Sequence, residues 1–292
     1  MKFAIFVTGL LRYDSGKTTF IKDLLAFIRN HTNLTAAPFK PLSGNNLFYN
    51  YHELTEISHT QKDFISIDII KLLGSTDCKS SIPPILFNPV HQIFTPALAA
   101  GFYKEGSLHT YLSKNMESTT LVQRFTQLLN GQPFTTYLVN EKVWQNPKFW
   151  TPVSIVENVL KSANEIKTYS SDTEYYSLNG QYYATSVQTT FEHIKDHYDI
   201  IIIESFNNAA HPAWCAREAK IVFSVGPGSV FMYDSKDFFT SVDSYKMIQR
   251  NVPSTTGEIM KLAKPIKVST LPINTEKRKE VINSLIEDIF SF

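Results

Sequence analysis

The chain has 292 residues, a length that suits one large domain or two modest ones. With 43% apolar and 19% charged residues and a formal net charge of +1, it reads as soluble and globular, with no bulk electrostatic pull toward nucleic acid or a membrane surface. No apolar run approaches the roughly 20 residues that span a bilayer. Met1-Lys2-Phe3 also leads directly into a candidate binding motif that a cleavable leader would destroy, so a cytoplasmic protein is expected.

Residues 3–7, Phe-Ala-Ile-Phe-Val, form an unbroken apolar run of the kind buried on both faces of a sheet. From Thr18 onward, Phe20, Ile21, Leu24, Leu25, Phe27 and Ile28 recur at helical spacing. Between them, Gly9-Leu10-Leu11-Arg12-Tyr13-Asp14-Ser15-Gly16-Lys17-Thr18 is a loop bounded by glycines and closed by Lys-Thr. Strand, glycine loop, Gly-Lys-Thr and helix in this order are how a phosphate-binding P-loop reads. Backbone N–H groups near Gly16 and the helix N-terminus would face the phosphates. Lys17 would reach the β- and γ-phosphates, and the Thr18 hydroxyl would complete a Mg²⁺ shell. Gly9, Arg12, Ser15, Gly16, Lys17, Thr18 and Thr19 are therefore the expected nucleotide-binding set. Six residues lie between Gly9 and Gly16 where the usual motif has four, and the alternative is an ordinary strand-to-helix turn that contains Gly-Lys-Thr. No Asn-Lys-x-Asp guanine signature is present, which favours ATP over GTP.

The first helix should end near Asn30-His31, and Leu34–Phe39 reads as a second strand. It delivers Lys40 and then Pro41-Leu42-Ser43-Gly44-Asn45-Asn46, expected as a polar turn. This alternation argues for an α/β fold with a mostly parallel central sheet, helices on both faces and ligands at the carboxyl ends of strands. Lys40 stands at such an end; the alternative is a solvated loop lysine. Residues 51–73 read as helical, with Asp68 between isoleucines, either on a wet face or held inward by a cation. The Pro-rich 82–96 reads as an extended, loop-like passage. In 106–182 the rhythm breaks: a hairpin turns at Asn130-Gly131, a helix covers about 154–166, and 170–183 is polar and Tyr-rich. This block is expected as an insertion or cap within a single domain of 1–292.

A helix over Thr185–His197 then precedes Asp199-Ile200-Ile201-Ile202-Ile203-Glu204, the most strand-like run in the chain. A carboxylate ending a buried strand is costly unless paired, which marks Glu204 as a Mg²⁺ or nucleophile-polarising residue. Residues 219–225 read as a strand stopped by Gly226-Pro227-Gly228, 235–250 as a helix, 266–272 as a short strand, and 276–289 as an amphipathic helix on the sheet, with Ile289 on its apolar side. Cys78 and Cys215 are isolated, without metal-ligand spacing, and are expected as free buried thiols. The 21 Phe and 14 Tyr are expected in core and cleft packing.

Taken in order, Val7-Thr8-Gly9 with Gly16-Lys17-Thr18, the segment Ala37–Gly44, Asp68 ahead of Asn88-Pro89, and the strand ending at Glu204 resemble the dethiobiotin synthetase and cobyric acid synthase branch of P-loop NTPases, a class that also includes MinD/ParA-type ATPases. The chain also looks like archaeal P-loop ATPase/GTPase proteins. The resemblance covers about half the chain and misses the 106–182 block. It implies a Mg²⁺ set of Thr18, Asp68 and Glu204, catalytic roles for Lys17, Lys40 and Glu204, and substrate contact by Lys40 and Ser43. It also implies ATP-dependent phosphorylation of a carboxylate or carbamate on a small molecule. Leu10-Leu11-Arg12 replaces that enzyme's Thr-Asp-Thr, and the amidotransferase domain of cobyric acid synthase is missing. Arg12 lies five residues before Lys17, where MinD-type ATPases carry a lysine that reaches across a dimer. The competing expectations are thus a nucleotide-driven homodimer switch and a nucleotide-binding protein without catalysis.

Overall fold

Strand β1 (Phe3–Gly9) and helix α1 (Lys17–His31) form where the apolar run and the helical spacing put them. The computed structural model describes residues 1, 3–76, 81–114, 119–250 and 252–290; Cys78 and the side chain of Ile289 lie outside this description. Strand β2 (Ala36–Phe39) follows, and its Pro38 is tolerated because β2 is an edge strand. The expected polar turn at 40–46 is corrected: Leu42–Asn46 is a strand, β3, laid parallel to β4 (Val90–Thr95). Gly44 there serves close approach, since a Cβ would lie 2.4 Å from the Phe94 ring.

The helical stretch 51–73 is two helices, α2 (Tyr51–Gln61) and α3 (Ile67–Leu73), parted where Lys62 takes a left-handed φ of 57°. The Pro-rich passage is loop-like only in part: a 3₁₀ turn at Pro84–Phe87 leads into β4, where Val90 and Ile93 are buried. Helices α4 (Ala99–Lys104) and α5 (Leu108–Lys114) precede the hairpin of β5 (Thr119–Leu129) and β6 (Gln132–Asn140). Its two-residue turn is Asn130-Gly131 with φ of 51° and 76°, the positive pair such a turn requires. Helix α6 (Val153–Leu160) stops early, because Ile166 belongs to β7 (Glu165–Tyr169), which pairs parallel to β6.

Helix α7 (Asp172–His197) begins within the Tyr-rich stretch, well before Thr185. The Glu174 N–H donates to Ser171 Oγ at 3.2 Å, while the Glu174 carboxylate accepts from the Ser170 N–H at 2.7 Å, a capping arrangement that starts the helix there. Strand β8 (Ile200–Glu204) is buried throughout. Strand β9 (Ala219–Gly226) turns at Pro227-Gly228 into β10 (Ser229–Asp234), an antiparallel partner that was not expected. Helix α8 (Ser235–Ile248), short α9 (Thr256–Ile259), edge strand β11 (Lys267–Thr270) and α10 (Thr275–Phe290) complete the chain.

The single central sheet is therefore corrected to two. One has the order β11-β10-β9-β1-β8-β2, with β9, β1, β8 and β2 parallel and β10 and β11 antiparallel; the other has the mixed order β3-β4-β5-β6-β7. The chain divides into two compact units. The first is Met1–Pro41, Asp68–Pro83 and Phe191–Phe292, and the second is Leu42–Ile67 and Pro84–Thr190, which takes in more than the 106–182 block.

In the first unit, Phe20 meets Phe223 edge-on at 5.2 Å between ring centroids, and Phe6 stacks on Phe239 at 6.0 Å. Helix α10 lies against α1, buries Ile282, Leu285 and Ile286, and pairs Arg278 with Asp23 at 2.5 Å. Cys215 is a free, buried thiol. The second unit is centred on β5 and β6, where Arg124 is fully buried. Its guanidinium donates to Phe64 O at 2.9 Å, to Asn88 O at 2.7 Å and to the Thr126 hydroxyl, while the Tyr137 hydroxyl donates to Asp63 Oδ1 at 2.6 Å. Among the described residues, no helix is long and apolar enough to cross a membrane.

Candidate functional site

The first sheet's register assembles the charged residues. Glu204 ends β8 opposite Val7 of β1, while Phe39 of β2 pairs with Ile203, so Lys40 leaves β2 level with Glu204. Three neighbouring parallel strands thus release Gly9, Glu204 and Lys40 at one carboxyl edge, where open α/β sheets place ligands.

The loop from Leu10 to Gly16 is closed by Ser15, which is buried; its hydroxyl donates to Leu11 O at 2.7 Å and accepts from the Leu11 N–H at 3.0 Å. Gly9 has no room for a side chain, because a Cβ would lie 2.6 Å from Ser15 Oγ and 2.9 Å from Lys17 Nζ. Gly16 caps α1 in the left-handed region at φ 83°, which glycine adopts without the steric cost of a Cβ. No side chain caps that helix end and no acidic residue occupies its first turn, so its N–H groups and partial positive charge suit an anion.

Lys17 is buried and donates to Asn207 O at 2.8 Å. The Thr18 hydroxyl donates to Glu204 Oε1 at 3.1 Å, joining the start of α1 to the end of β8. Lys40, 5% exposed, has its ammonium 3.1 Å from the same Glu204 oxygen and in contact with Asp68 Oδ2. Asp68 lies in the first turn of α3 with its side chain 39% exposed, and the cation paired with it is Lys40. Glu204 is 1% exposed, and its Oε2 has no hydrogen-bond partner.

Two ammonium groups and two carboxylates therefore share this edge, with Lys17, Lys40 and Glu204 buried and the Asp68 side chain 39% exposed. Burial pushes the Lys17 ammonium below its usual range, with Glu204 opposing. Burial also acts to lower Lys40, but Glu204 and Asp68 outweigh it and hold Lys40 above the ordinary range. Burial raises the Glu204 carboxyl against the pull of Lys40, whereas Lys40 overcomes burial at Asp68 and keeps it low.

Gly9, Ser15, Gly16, Lys17, Thr18, Lys40, Asp68 and Glu204 all contribute to this edge. Thr19 follows on α1 but is exposed, and Arg12 is exposed on the loop with its guanidinium over the Tyr13 ring at 5.3 Å. Ser43 belongs to the second unit, where it is 1% exposed and its hydroxyl engages Asn88 Oδ1 at 3.0 Å and His91 Nδ1 at 2.6 Å. That occupied hydroxyl serves the core of the second unit.

Sequence reading missed Asn207 and Thr8. Asn207 takes a left-handed φ of 48°, which Asn tolerates. Fully buried Thr8 bonds Ala209 O at 3.0 Å and the Thr256 hydroxyl at 2.6 Å, and Ser205 Oγ donates to Ala209 O at 2.6 Å. Together they tie the 205–210 loop, and so the Lys17 acceptor, to the end of β1. The Asn207-Asn208 pair after a buried strand was the available signal.

The donor set fits a hard divalent cation: a hydroxyl and two carboxylates are all oxygen donors, and one Glu204 oxygen is buried without a partner. Among the described residues no group of three or more His, Cys, Asp and Glu side chains stands together, so such an ion would take its remaining ligands from water and phosphate. No family model, curated protein or solved structure matches the chain.

Proposed function

We propose that the chain is a Mg²⁺-dependent P-loop NTPase that binds ATP, or GTP, at the Gly9–Thr19 loop and the start of α1. It hydrolyses the nucleotide or passes its γ-phosphoryl group to a carboxylate or carbamate of a small molecule. The observation that carries this reading is the Thr18–Glu204 hydrogen bond, which links a Gly-Lys-Thr helix start to the acidic end of the neighbouring buried strand. A lysine, a hydroxyl and a strand-terminal carboxylate around a glycine loop are what phosphoryl transfer asks of a protein: positioning and charge neutralisation.

In this reading Lys17 turns from Asn207 O toward the β- and γ-phosphates, and the uncapped α1 N-terminus orients them. Thr18, Glu204 and Asp68 would hold Mg²⁺, which when bound neutralises developing phosphate charge. Lys40 offers a second cation beside the reacting groups. The exposure of Arg12, with Leu11 and Tyr13 beside it at 46% and 63%, favours a second reading in which this loop meets a second copy of the chain and nucleotide drives dimerisation.

Titration of a fluorescent ATP analogue with Mg²⁺ tests the proposal. Lys17→Ala is expected to weaken binding on the order of 10²-fold, through loss of a buried cation from the phosphates. Unchanged affinity in a folded Lys17→Ala protein overturns it. Dimers that form only with nucleotide, and that Arg12→Ala abolishes, would select the second reading.

A further inference from the structure

We propose that the Lys40 ammonium occupies the place between Asp68 and Glu204 that a divalent cation needs, so that the protein excludes the free metal and admits it only when a polyphosphate draws Lys40 away. The inference rests on the nucleotide reading of this edge and adds an order of events to it.

Lys40 touches Asp68 Oδ2 and lies 3.1 Å from Glu204 Oε1, bridging the two carboxylates expected to ligate metal. A lysine ammonium is a compact point charge. It and a metal ion compete for the same two oxygens, because both are cations and repel at that distance. Glu204, 1% exposed, keeps Oε2 without a hydrogen-bond partner, so an oxygen-seeking ion would find an unused ligand once Lys40 moved. Around Lys40 the other charged groups are engaged: Lys17 on Asn207 O, Asp68 on Lys40, and Glu204 Oε1 on both Thr18 and Lys40. A triphosphate supplies the competing anion that lets Lys40 leave. A lysine serving only as a structural strut would instead leave the carboxylates unpaired when removed, with no gain in metal affinity.

The test uses the full chain, Mn²⁺ alone as probe, electron paramagnetic resonance of unbound Mn²⁺, and thermal unfolding. The wild-type chain is expected to take up no Mn²⁺ by itself in the micromolar range. Lys40→Met should melt below wild type, bind Mn²⁺ at least about tenfold more tightly, and regain melting temperature as Mn²⁺ is added. Lys40→Met/Glu204→Gln should lose both gains. A folded Lys40→Met chain with wild-type Mn²⁺ affinity overturns the proposal. So does a wild-type chain that binds Mn²⁺ alone in the micromolar range, a result that stands even if Lys40→Met does not fold. These readings need no nucleotide: a Lys40→Met gain in a chain without ATP affinity would overturn the nucleotide reading and with it the admission of metal by polyphosphate, whereas wild-type Mn²⁺ affinity in Lys40→Met would overturn the exclusion by Lys40 whatever the chain does with ATP.

Discussion

Thr18→Val tests the junction on which the site is built. The substitution keeps the branched shape at the second position of α1 and removes the hydroxyl that donates to Glu204 Oε1 at 3.1 Å. A hydrogen bond to a charged acceptor contributes about 1.5–3 kcal/mol when the acceptor is left unpaired. Thr18 is partly exposed and Lys40 remains 3.1 Å from the same oxygen, which discounts the loss to about 1–2 kcal/mol. For a chain of this size that is a fall in melting temperature of about 2–6 °C. Thr18→Ser keeps the donor and should stay within about 0.5 kcal/mol of wild type. Under the proposed function, Thr18→Val also abolishes the gain in ATP-analogue affinity that Mg²⁺ produces, and Thr18→Ser retains it. Thermal melts and binding titrations with and without Mg²⁺ read both effects. A Thr18→Val protein that melts with wild type and keeps its Mg²⁺ dependence would refute the reasoning.

Gly9→Ala places a methyl 2.6 Å from Ser15 Oγ, which is pinned to both polar groups of Leu11, so urea midpoints should show a loss of about 1–3 kcal/mol and, under the proposed function, titration should show weaker nucleotide binding. Arg124→Met in the second unit leaves Asp63, Phe64 O and Asn88 O without their buried cation, and urea denaturation should show a loss of about 3–5 kcal/mol. His211 is pushed down from 6.5 to about 4, first by burial and then by Lys246 and Arg217. Between those two pH values the unfolded chain binds a proton that the folded chain does not. Stability that is full above 6.5 therefore falls as pH drops toward about 4, by up to about 2 kcal/mol after allowance for partial exposure. His211→Asn should flatten that slope in urea midpoints taken across the window; an unchanged slope would place its origin elsewhere.

Local pattern was enough for the elements that build the candidate site. The apolar run 3–7, the Gly-Lys-Thr start of α1 and the tetra-isoleucine strand carrying Glu204 are strongly periodic or continuously apolar, and their burial is dictated whatever surrounds them. The Asn130-Gly131 hairpin was legible because a two-residue turn demands positive φ at both positions. Elsewhere weak local signals lost to longer-range forces. Leu42-Ser43-Gly44-Asn45-Asn46 has turn composition yet becomes a strand, because pairing with β4 satisfies its backbone and Gly44 clears the Phe94 ring. The polar, Tyr-rich 170–183 becomes the start of α7 because a cap at Ser170–Glu174 begins the helix there.

The sequence alone thus determined the residue types of the glycine-bounded loop from Gly9 to Gly16, the buried strand that presents Glu204 and the helix that carries Lys17 and Thr18, since each follows from periodicity and from the backbone freedom of glycine. Only the tertiary structure decided that Lys40 bridges Asp68 and Glu204, that Asn207 O receives Lys17, and that two sheets form in place of one. Those outcomes depend on strand order and register between segments distant in the chain, and no local spacing encodes them.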